Sequence, residues 1–329
     1  MSQQKQSSKP PAGVEVMADK LFKTAFELFL GDLIDIVQPR LAAVLELDKA
    51  RFLAPEQLPD FEKAGHRTPD LVAEVPMRPD PKGISRDPQF VVVHIDTEAR
   101  FSQKMDGRMS DYGLHILLES KKPVVSICVF LSGGDANVTV REVKAGVEWN
   151  EEIVWEANRF RYLAFGLGKS LAEDYLQRPQ PLVAGLAAAM RSKVWDPVRQ
   201  KVECLKALRQ RVPVEDIRRG YTLRKMIDKY LVLTDKDQES FEVEVGENKD
   251  LKTMIDLWQE DLDLYKAEGR AEGEAQGVRK AILLLAKTMK LEVDEGFEDK
   301  LNPIEDLDRL ARILEQIPHV RSTLDLKLS

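Results

Sequence analysis

The sequence predicts an α/β protein whose mixed β-sheet is flanked by helices and is followed by an α-helical C-terminal extension. Three observations carry this prediction. Helix and strand patterns alternate up to residue 165, in the order helix, strand, strand, helix, strand, strand. One strand is the short apolar run VVSICVFL, which is typical of a strand covered on both faces. From Gly166 onward strand patterns nearly vanish and helical patterns dominate.

The first half of the chain contains the elements that are expected to build the sheet. Residues 19–37 predict a helix that is apolar on most of its circumference and therefore largely buried. Phe101–Glu119 predicts an amphipathic helix, because its apolar residues recur at helical spacing. The segment RPDPKGISRDP is rich in Pro and Gly, which favours a hairpin loop between the first two strands. The predicted strands are Asp70–Met77, Gln89–Glu98, Val124–Leu131, Val138–Val143 and a further one near Glu152–Trp155.

The domain organisation follows from this change of pattern. We expect a disordered tail over 1–17, the sheet domain over 18–165 and the helical extension over 166–329. The extension contains a glycine-spaced helix near 265–290, in which Gly269, Gly273 and Gly277 share one stripe. Because glycine costs about 1 kcal/mol per helical position relative to alanine, we hypothesise a packing role, namely a homo-oligomer formed through the C-terminal helices. The other predicted helices are Lys169–Arg178, Pro181–Trp195, Val198–Arg211, Val214–Tyr230, Leu251–Lys266 and Ile304–Ile317.

The charge of the chain is unevenly distributed. The net charge is −7 and the pI is near 5.4, which disfavours a protein that coats nucleic acid. Nevertheless, Arg191–Lys229 contains 12 Lys or Arg against 5 Asp or Glu, a local charge of +7, whereas Asp235–Asp263 contains 11 acidic residues against 3 Lys, a local charge of −8. The basic stretch predicts either a contact with phosphates or a solvated helical face.

The sequence also bears on the cellular compartment. It contains two cysteines, and Cys128 lies in an apolar run, which predicts a structural thiol in a reducing cytoplasm rather than a disulfide. No apolar run approaches the roughly 20 residues of a membrane span, so no membrane partner is expected. The N-terminal segment MSQQKQSSKPPAG has no apolar stretch, which predicts no signal peptide. We therefore expect a cytoplasmic protein.

Three carboxylates form the most informative candidate site. Asp96 and Glu98 are two residues apart at the end of a strand and so project from the same face. If the strand that begins at Asp70 pairs beside them, all three carboxylates converge. Such a cluster is costly unless a cation neutralises it, and Mg²⁺ is bound typically through one or two carboxylates with water and phosphate. The alternative interpretation is an ordinary polar edge of a sheet.

Other side chains are candidates for supporting roles. Arg108 and Tyr112 lie four residues apart on the following helix, where a cation and a hydroxyl can hold a phosphate. The alternative is a surface salt bridge beside a core aromatic. His94 shares the strand face of Asp96 and, with no second histidine nearby, is expected to support the site or pack rather than ligate a metal.

Several short motifs together resemble a known family. They are DKLFK, HRTPD, HIDTE, RMSDY, KPVVSICVFL, PLVAGLAAAM and KAEGRAEGEAQG, and they occur in order between Asp19 and Leu285. Each motif is unspecific alone, but their order and spacing resemble the recombination-promoting nuclease and transposase-associated group of the PD-(D/E)XK nuclease superfamily.

The resemblance implies a restriction-endonuclease-like core, Mg²⁺ (or Mn²⁺) and hydrolysis of DNA phosphodiesters. By position, Asp70 corresponds to the first metal-binding Asp and Asp96 to the second acidic residue. Glu27 corresponds to an outer acidic residue of the first helix, although an ion pair with Lys23 four residues earlier is an equal alternative.

Glu98 departs from the family pattern, because the superfamily has Lys there and this group usually has Gln. A glutamate cannot supply a cation, but it can accept a proton from water or add a metal ligand. Lys104 or Arg108 are candidates for the missing cation.

Three functional hypotheses follow. The first is a metal-dependent DNA endonuclease, linked to recombination or mobile elements, with Asp70, Asp96 and Glu98 as catalytic residues. The second is a DNA-binding or self-associating scaffold whose site has lost catalysis. The third is a helical interaction protein in which the acids have no catalytic role.

Overall fold

The computed structural model contains two compact units, which divide between Met254 and Ile255. It describes residues 12–53, 69–79, 89–150, 152–249, 251–253, 255, 275–286, 289, 291–294, 296–301, 304, 306–317, 320 and 322–326. No helix in these ranges is long and apolar enough to cross a bilayer.

The first unit is built on a mixed sheet, in which the described residues form six strands. Its order is β1-β2-β3-β4-β6-β5, with β3, β4 and β6 parallel and the other neighbours antiparallel. The prediction of an α/β protein with a mixed sheet flanked by helices is confirmed. The strands are β1 (Arg51–Phe52), β2 (Leu71–Pro76), β3 (Phe90–Glu98), β4 (Val124–Phe130), β5 (Asn137–Trp149) and β6 (Glu152–Gly166).

Helices of the first unit flank this sheet and one another. Helix α4 (Lys104–Ser120) connects the parallel strands β3 and β4, and its apolar residues pack against Val72 of β2 and Tyr162 of β6. The helices are α1 (Ala12–Leu28), α2 (Leu30–Val37), α3 (Pro39–Ala42), α4 (Lys104–Ser120), α5 (Ala172–Tyr175), α6 (Val183–Ala188), α7 (Pro197–Arg211), α8 (Ile217–Tyr230) and α9 (Asp235–Glu247).

The N-terminal helix ends at Val37 as predicted but differs from its prediction at its beginning and in its middle. The helix begins at Ala12, inside the tail predicted over 1–17, and residues 1–11 of that tail lie outside the described ranges. It also breaks at Phe29, whose backbone (φ −128°, ψ 34°) leaves the helical region before α2 begins. The residues on both sides of the break are buried, since Phe26, Phe29 and Leu30 are almost inaccessible to solvent. The continuous apolar pattern therefore predicted burial but could not locate the break.

The helices that follow the sheet belong to the same compact unit as the sheet. The sequence predicted a boundary at 165/166, which coincides with the end of β6, whereas the division into units falls at 254/255. The reason is packing against the N-terminal helices. The rings of Phe22 and Tyr230 lie 5.6 Å apart, and the backbone N–H of Leu182 donates to Asp32.

Several predicted helices are shorter in the structure, and α9 was not predicted. The segments 169–178 and 181–195 each contain a single short helix, α5 and α6. Helix α9 begins after Thr234, whose side chain accepts from the backbone N–H of Asp237 as an N-cap. This helix was not predicted because its segment is mostly acidic and contains few apolar residues. Its buried residues are Phe241 and Val245.

The second unit has a hydrophobic core of its own. Helices at 275–286 (α10), Phe297–Leu301 (α11) and Leu307–Gln316 (α12) contribute to this core, in which Ile282, Leu310 and Ile313 are fully buried. The predicted glycine stripe falls only partly in the described ranges, since Gly269 and Gly273 lie outside them together with most of the predicted helix Leu251–Lys266. Gly277 lies on α10 with open space where a side chain would be. Oligomerisation through these helices stays a prediction.

A pair of glycine substitutions tests the packing of the first unit. A Cβ at Gly166 would lie 1.9 Å from the carbonyl oxygen of Asp135, so the backbone must move to accommodate it. We expect Gly166→Ala to lower the free energy of unfolding by about 1–3 kcal/mol. The matched control is Gly107→Ala on α4, where the space is open and the helix propensity of alanine should stabilise the protein by about 1 kcal/mol. Urea unfolding followed by circular dichroism measures both, and equal effects would contradict the described packing.

Candidate active site at the ends of strands β2 and β3

The candidate carboxylates lie where two antiparallel strands meet. Asp70 immediately precedes β2, and Asp96 and Glu98 are among the last three residues of β3. Because Leu71 of β2 faces Ile95 of β3, the beginning of one strand lies beside the end of the other. The hairpin therefore brings residues from sequence positions 70 and 96 together.

Two hydrogen bonds join Asp70 to the end of β3. The backbone N–H of Asp70 donates to Oδ1 of Asp96 over 3.1 Å, and the backbone N–H of Thr97 donates to Oδ2 of Asp70 over 2.7 Å. Each carboxylate thus accepts a hydrogen bond from the backbone of the other strand. This exchange holds both carboxyl groups in defined orientations before any ligand binds.

Arg108 supplies the positive charge of the site. Its Nη2 donates to Oδ2 of Asp96 over 3.2 Å and also to Oε1 of Glu98. The guanidinium can reach both because α4 follows β3 after a short loop and packs over the sheet. Of the two cations that were candidates to replace the missing lysine, the structure brings Arg108 to the carboxylates, whereas Lys104 is exposed at the beginning of α4.

The electrostatics of the site follow from burial and charge. Asp96 is only 2% exposed, and burial alone would raise its pKa. The His94 imidazole, the Asp70 N–H and the Arg108 charge outweigh burial, so the pKa of Asp96 is lowered and the carboxylate is ionised at neutral pH. Burial likewise would lower the pKa of Arg108, but Asp96 and Glu98 raise it. Asp96 and Arg108 therefore form a charged, partly buried pair.

Two buried polar side chains, those of His94 and Ser126, lie next to Asp96 on the inner side of the site. His94 is fully buried on the same strand face, with its Nε2 3.6 Å from Oδ1 of Asp96 and its Nδ1 3.2 Å from Oγ of Ser126. Ser126 lies beside His94 because β3 and β4 pair in parallel. Sequence reasoning did not identify Ser126, although a single serine in the apolar run VVSICVF was a signal of a buried polar contact. His94 is packed beside Asp96, and a role in supporting a metal site stays a prediction.

The structure distinguishes among the remaining supporting residues. Tyr112 is 1% exposed, packs with Val72 and Ile116, and presents its ring edge-on to His94 at 5.5 Å between centroids. This position matches the core aromatic that was the alternative to a phosphate-binding hydroxyl. Lys23 is exposed and Glu27 half-buried on α1, and no ion pair joins these two described residues, which differs from the ion-pair alternative.

The oxygen donors of the site fit a divalent cation only in part. Within the described ranges, no group of three or more His, Cys, Asp or Glu side chains is arranged to hold a metal ion. Glu98 and one oxygen of Asp96 contact Arg108 instead. Asp70 and Asp96 nevertheless provide hard oxygen donors on adjacent strand ends, which is the two-carboxylate arrangement that Mg²⁺ accepts when water and phosphate complete its coordination. Asp70 and Asp96 are therefore the two carboxylates available to a cation here, and the described residues contain no site built of protein ligands alone.

The basic stretch is extensively paired within the protein. Lys201 contacts Asp228 at 2.9 Å, and Arg199 contacts Glu244 of the acidic helix α9 at 2.6 Å. Other cations of this stretch with intramolecular partners are Lys206, Arg211, Arg219 and Arg224. Many of the positive charges of this stretch are thus paired within the protein, by contacts within and between α7, α8 and α9.

Comparison with known proteins leaves the site to be interpreted from its own geometry. No protein-family model, no curated protein and no solved structure matches this chain.

Removal of the Arg108 charge tests the electrostatic account. We expect Arg108→Gln to lower the free energy of unfolding at pH 7 by about 3 kcal/mol, because it leaves the buried Asp96 carboxylate without its cation. Since the lowered pKa of Asp96 stabilises the folded state only where Asp96 is ionised, this difference should shrink as the pH falls below about 4.

The control for this prediction is Arg51→Gln, which removes an exposed cation 3.0 Å from Glu74. An exposed pair contributes about 0–1 kcal/mol. Urea unfolding across the pH range measures both variants, and equal losses for Arg108→Gln and Arg51→Gln would contradict the special position of Arg108.

Proposed function

We propose that this chain is a metal-dependent DNA endonuclease with a restriction-endonuclease-like sheet, related to the recombination-promoting nuclease and transposase-associated group. The observation that carries the proposal is the pairing of Asp70 and Asp96 at adjacent strand ends, cross-linked by two hydrogen bonds. These are the positions at which the sequence resemblance expects the metal-binding acids. The buried thiols of Cys128 and Cys204 are consistent with a cytoplasmic location.

Each residue has a role in this proposal. Asp70 and Asp96 would hold Mg²⁺ (or Mn²⁺), and the backbone hydrogen bonds keep their carboxyl groups oriented for it. When bound, the metal would polarise a phosphate oxygen and lower the pKa of a water molecule. Glu98, 28% exposed in its side chain, would position the attacking water and accept its proton. Arg108 would orient the scissile phosphate through its guanidinium.

Arg108 can also compensate for the difference from the family at position 98, where this chain has Glu98. The family has Lys or Gln at that position, whereas here the cation comes from α4 and contacts both Glu98 and Asp96. A guanidinium at this location can stabilise the negative charge that develops on the phosphate, as a lysine on the strand would. Since Arg108 contacts Oε1 of Glu98, the other oxygen, Oε2, would accept the proton.

The same contacts favour a second candidate function, a non-catalytic DNA-binding or self-associating scaffold. Arg108 balances the charge of Asp96 and Glu98 without a metal, so the cluster is stable as a purely structural network. The two functions differ in one measurable property, namely cleavage of DNA in the presence of a divalent cation.

Isosteric substitution of the two aspartates tests the proposed catalysis. We expect the protein to nick supercoiled plasmid in Mg²⁺ or Mn²⁺, and Asp70→Asn and Asp96→Asn each to lower the rate at least about 100-fold, because the loss of a metal ligand removes several kcal/mol of transition-state stabilisation. Asp111→Asn, at an exposed position on α4, is the matched control. Circular dichroism should be unchanged in all three.

Persistent nicking by Asp96→Asn at the unsubstituted rate would overturn the catalytic assignment. A salt-sensitive shift of DNA in a gel without metal-dependent cleavage would instead establish the scaffold.

Substitution of Glu98 tests its role separately. If Glu98 accepts a proton, Glu98→Gln should lower kcat by about 10²–10⁴-fold with little change in KM. The control Glu119→Gln alters an exposed carboxylate at the other end of α4 and should leave both constants unchanged. A Glu98→Gln variant with unchanged kcat would assign Glu98 a role in charge balance with Arg108 only.

A further inference from the structure

Three chain segments lie beside the candidate active site at one end of the sheet. Because β3, β4 and β6 run parallel, the segments that follow these strands lie at the same end of the sheet as Asp96 and Glu98. We call these three segments the rim, and they are residues 99–104, 131–136 and 167–170. The rim contains three Lys or Arg and one Asp, which gives a charge of +2. The three rim cations, all of them exposed, are Arg100, Lys104 and Lys169.

Backbone hydrogen bonds join the first two rim segments to each other and to the site. The backbone N–H of Leu131 donates to the carbonyl of Glu98 over 2.9 Å, so the second segment begins beside the carboxylates. The backbone N–H of Phe101 donates to the carbonyl of Ser132 over 2.9 Å, and the hydroxyl of Ser132 donates to the carbonyl of Ala99 over 2.8 Å. The arginine between Ala99 and Phe101 is therefore held close to the second segment.

The third rim segment packs against the second. A Cβ at Gly168 would lie 2.4 Å from the carbonyl oxygen of Leu131, so the two backbones are in direct contact. Since β4 lies between β3 and β6 in the sheet, the second segment lies between the other two. Arg100 and Lys169 therefore lie on opposite sides of the second segment, and Lys104 follows Arg100 at the beginning of α4.

The rim cations have no acidic partner within the described ranges. The acidic residue of the rim, Asp135, lies 3.9 Å from Arg141 of β5, whose guanidinium also binds Asp106. By contrast, Arg199 and Lys201 of the basic stretch are paired with acids of neighbouring helices. Because an exposed cation without an internal partner is available to a polyanion, the rim is better suited to contact phosphates than the basic stretch.

The second rim segment also offers backbone donors. Gly133 (φ 74°) and Gly134 (φ 66°) have left-handed backbones, which glycine adopts without strain. Among the described residues, none accepts a hydrogen bond from the backbone N–H groups of residues 132–136. Backbone N–H groups contact phosphate oxygens in protein–DNA complexes, and the two glycines leave room for such a contact because they have no side chains.

The charge of the candidate active site explains why cations are needed beside it. Asp70, Asp96 and Glu98 have three formal negative charges against the single positive charge of Arg108, which sums to −2. A metal ion would offset this charge at the scissile phosphate, but the neighbouring phosphates of a DNA strand would still be repelled by the carboxylates. Cations on the adjoining rim offset that repulsion.

We propose that the rim binds the phosphate backbone of DNA next to the scissile phosphodiester, with Arg100, Lys104 and Lys169 each neutralising one phosphate. This proposal rests on the proposed function, which makes DNA the occupant of the site, and it adds the surface that positions the DNA there. Contacts of this kind fix the register and orientation of a duplex and are independent of its base sequence.

Measurement of DNA binding without cleavage tests the rim. Fluorescence anisotropy of a short labelled duplex is followed in EDTA at increasing salt concentration. We expect Arg100→Gln/Lys104→Gln/Lys169→Gln to raise the Kd at low salt at least about thirtyfold. The slope of log Kd against log salt should fall by about 2–3, because each lost phosphate contact removes about 0.9 from it. Circular dichroism should be unchanged, since all three positions are exposed.

The matched control is Arg40→Gln/Lys236→Gln/Lys252→Gln, which removes the same three charges at exposed positions outside the rim. The control should leave the salt slope unchanged, because a change in net charge alone removes no phosphate contact.

Three outcomes would overturn the proposal: equal changes in Kd for the rim variant and the control, a loss of affinity in the rim variant without a change in salt slope, or an unsubstituted chain that binds no duplex DNA. Plasmid nicking separates these outcomes from failure of the proposed function. Nicking that persists while the rim variant binds like the control overturns only the rim proposal. Selective loss of binding by the rim variant of a chain that does not nick DNA overturns the nuclease and retains the rim as a DNA contact.

Discussion

The need to neutralise one buried carboxylate organises the candidate site. Asp96 is almost inaccessible to water, and an ionised carboxylate in such a position is tolerated only with hydrogen bonds and an opposite charge. The structure meets this need from three elements at once: the N–H of Asp70 at the beginning of β2, the His94 imidazole on β3 itself and the Arg108 guanidinium from α4. If one of these groups is removed, the remaining groups alone must stabilise the buried charge of Asp96, so these residues behave as one network.

The β3-α4-β4 connection makes this network possible. A parallel crossover returns the chain to the same end of the sheet, which aligns His94 with Ser126 and sets α4 over the carboxyl end of β3. The position of Arg108 is therefore a consequence of topology and not of sequence proximity alone. Glu98 on β3 and Arg108 on α4 are in contact as a result, so the helix provides a cation that the strand lacks.

The sequence predicted the strands of the site well because local patterns dominate there. The run FVVVHIDTE is strongly β-prone and is followed by a helical pattern, so Asp96 and Glu98 could be assigned to a strand end, and the hairpin loop predicted Asp70 as their neighbour. Contacts that depend on tertiary packing were not predictable in the same way. The break at Phe29 and the inclusion of α5 to α9 in the sheet unit arise from packing between distant segments. The length of β5 and β6 was also underestimated. The outer parts of both strands are exposed and lack the buried apolar alternation by which such strands are recognised. The buried end of β6, residues 162–166, is a short apolar run that was not assigned to a strand.

The exposed tryptophans of the hairpin formed by β5 and β6 have a spectroscopic consequence. Two of the four tryptophans in the chain, Trp149 and Trp155, lie on this hairpin and are mostly in contact with water. Part of the intrinsic fluorescence of the folded protein therefore reports on the surroundings of the hairpin and not on the integrity of the core. A red-shifted component of the emission in a fully folded sample would mark an uncovered hairpin, and a blue shift of that component at constant secondary structure would mark its burial.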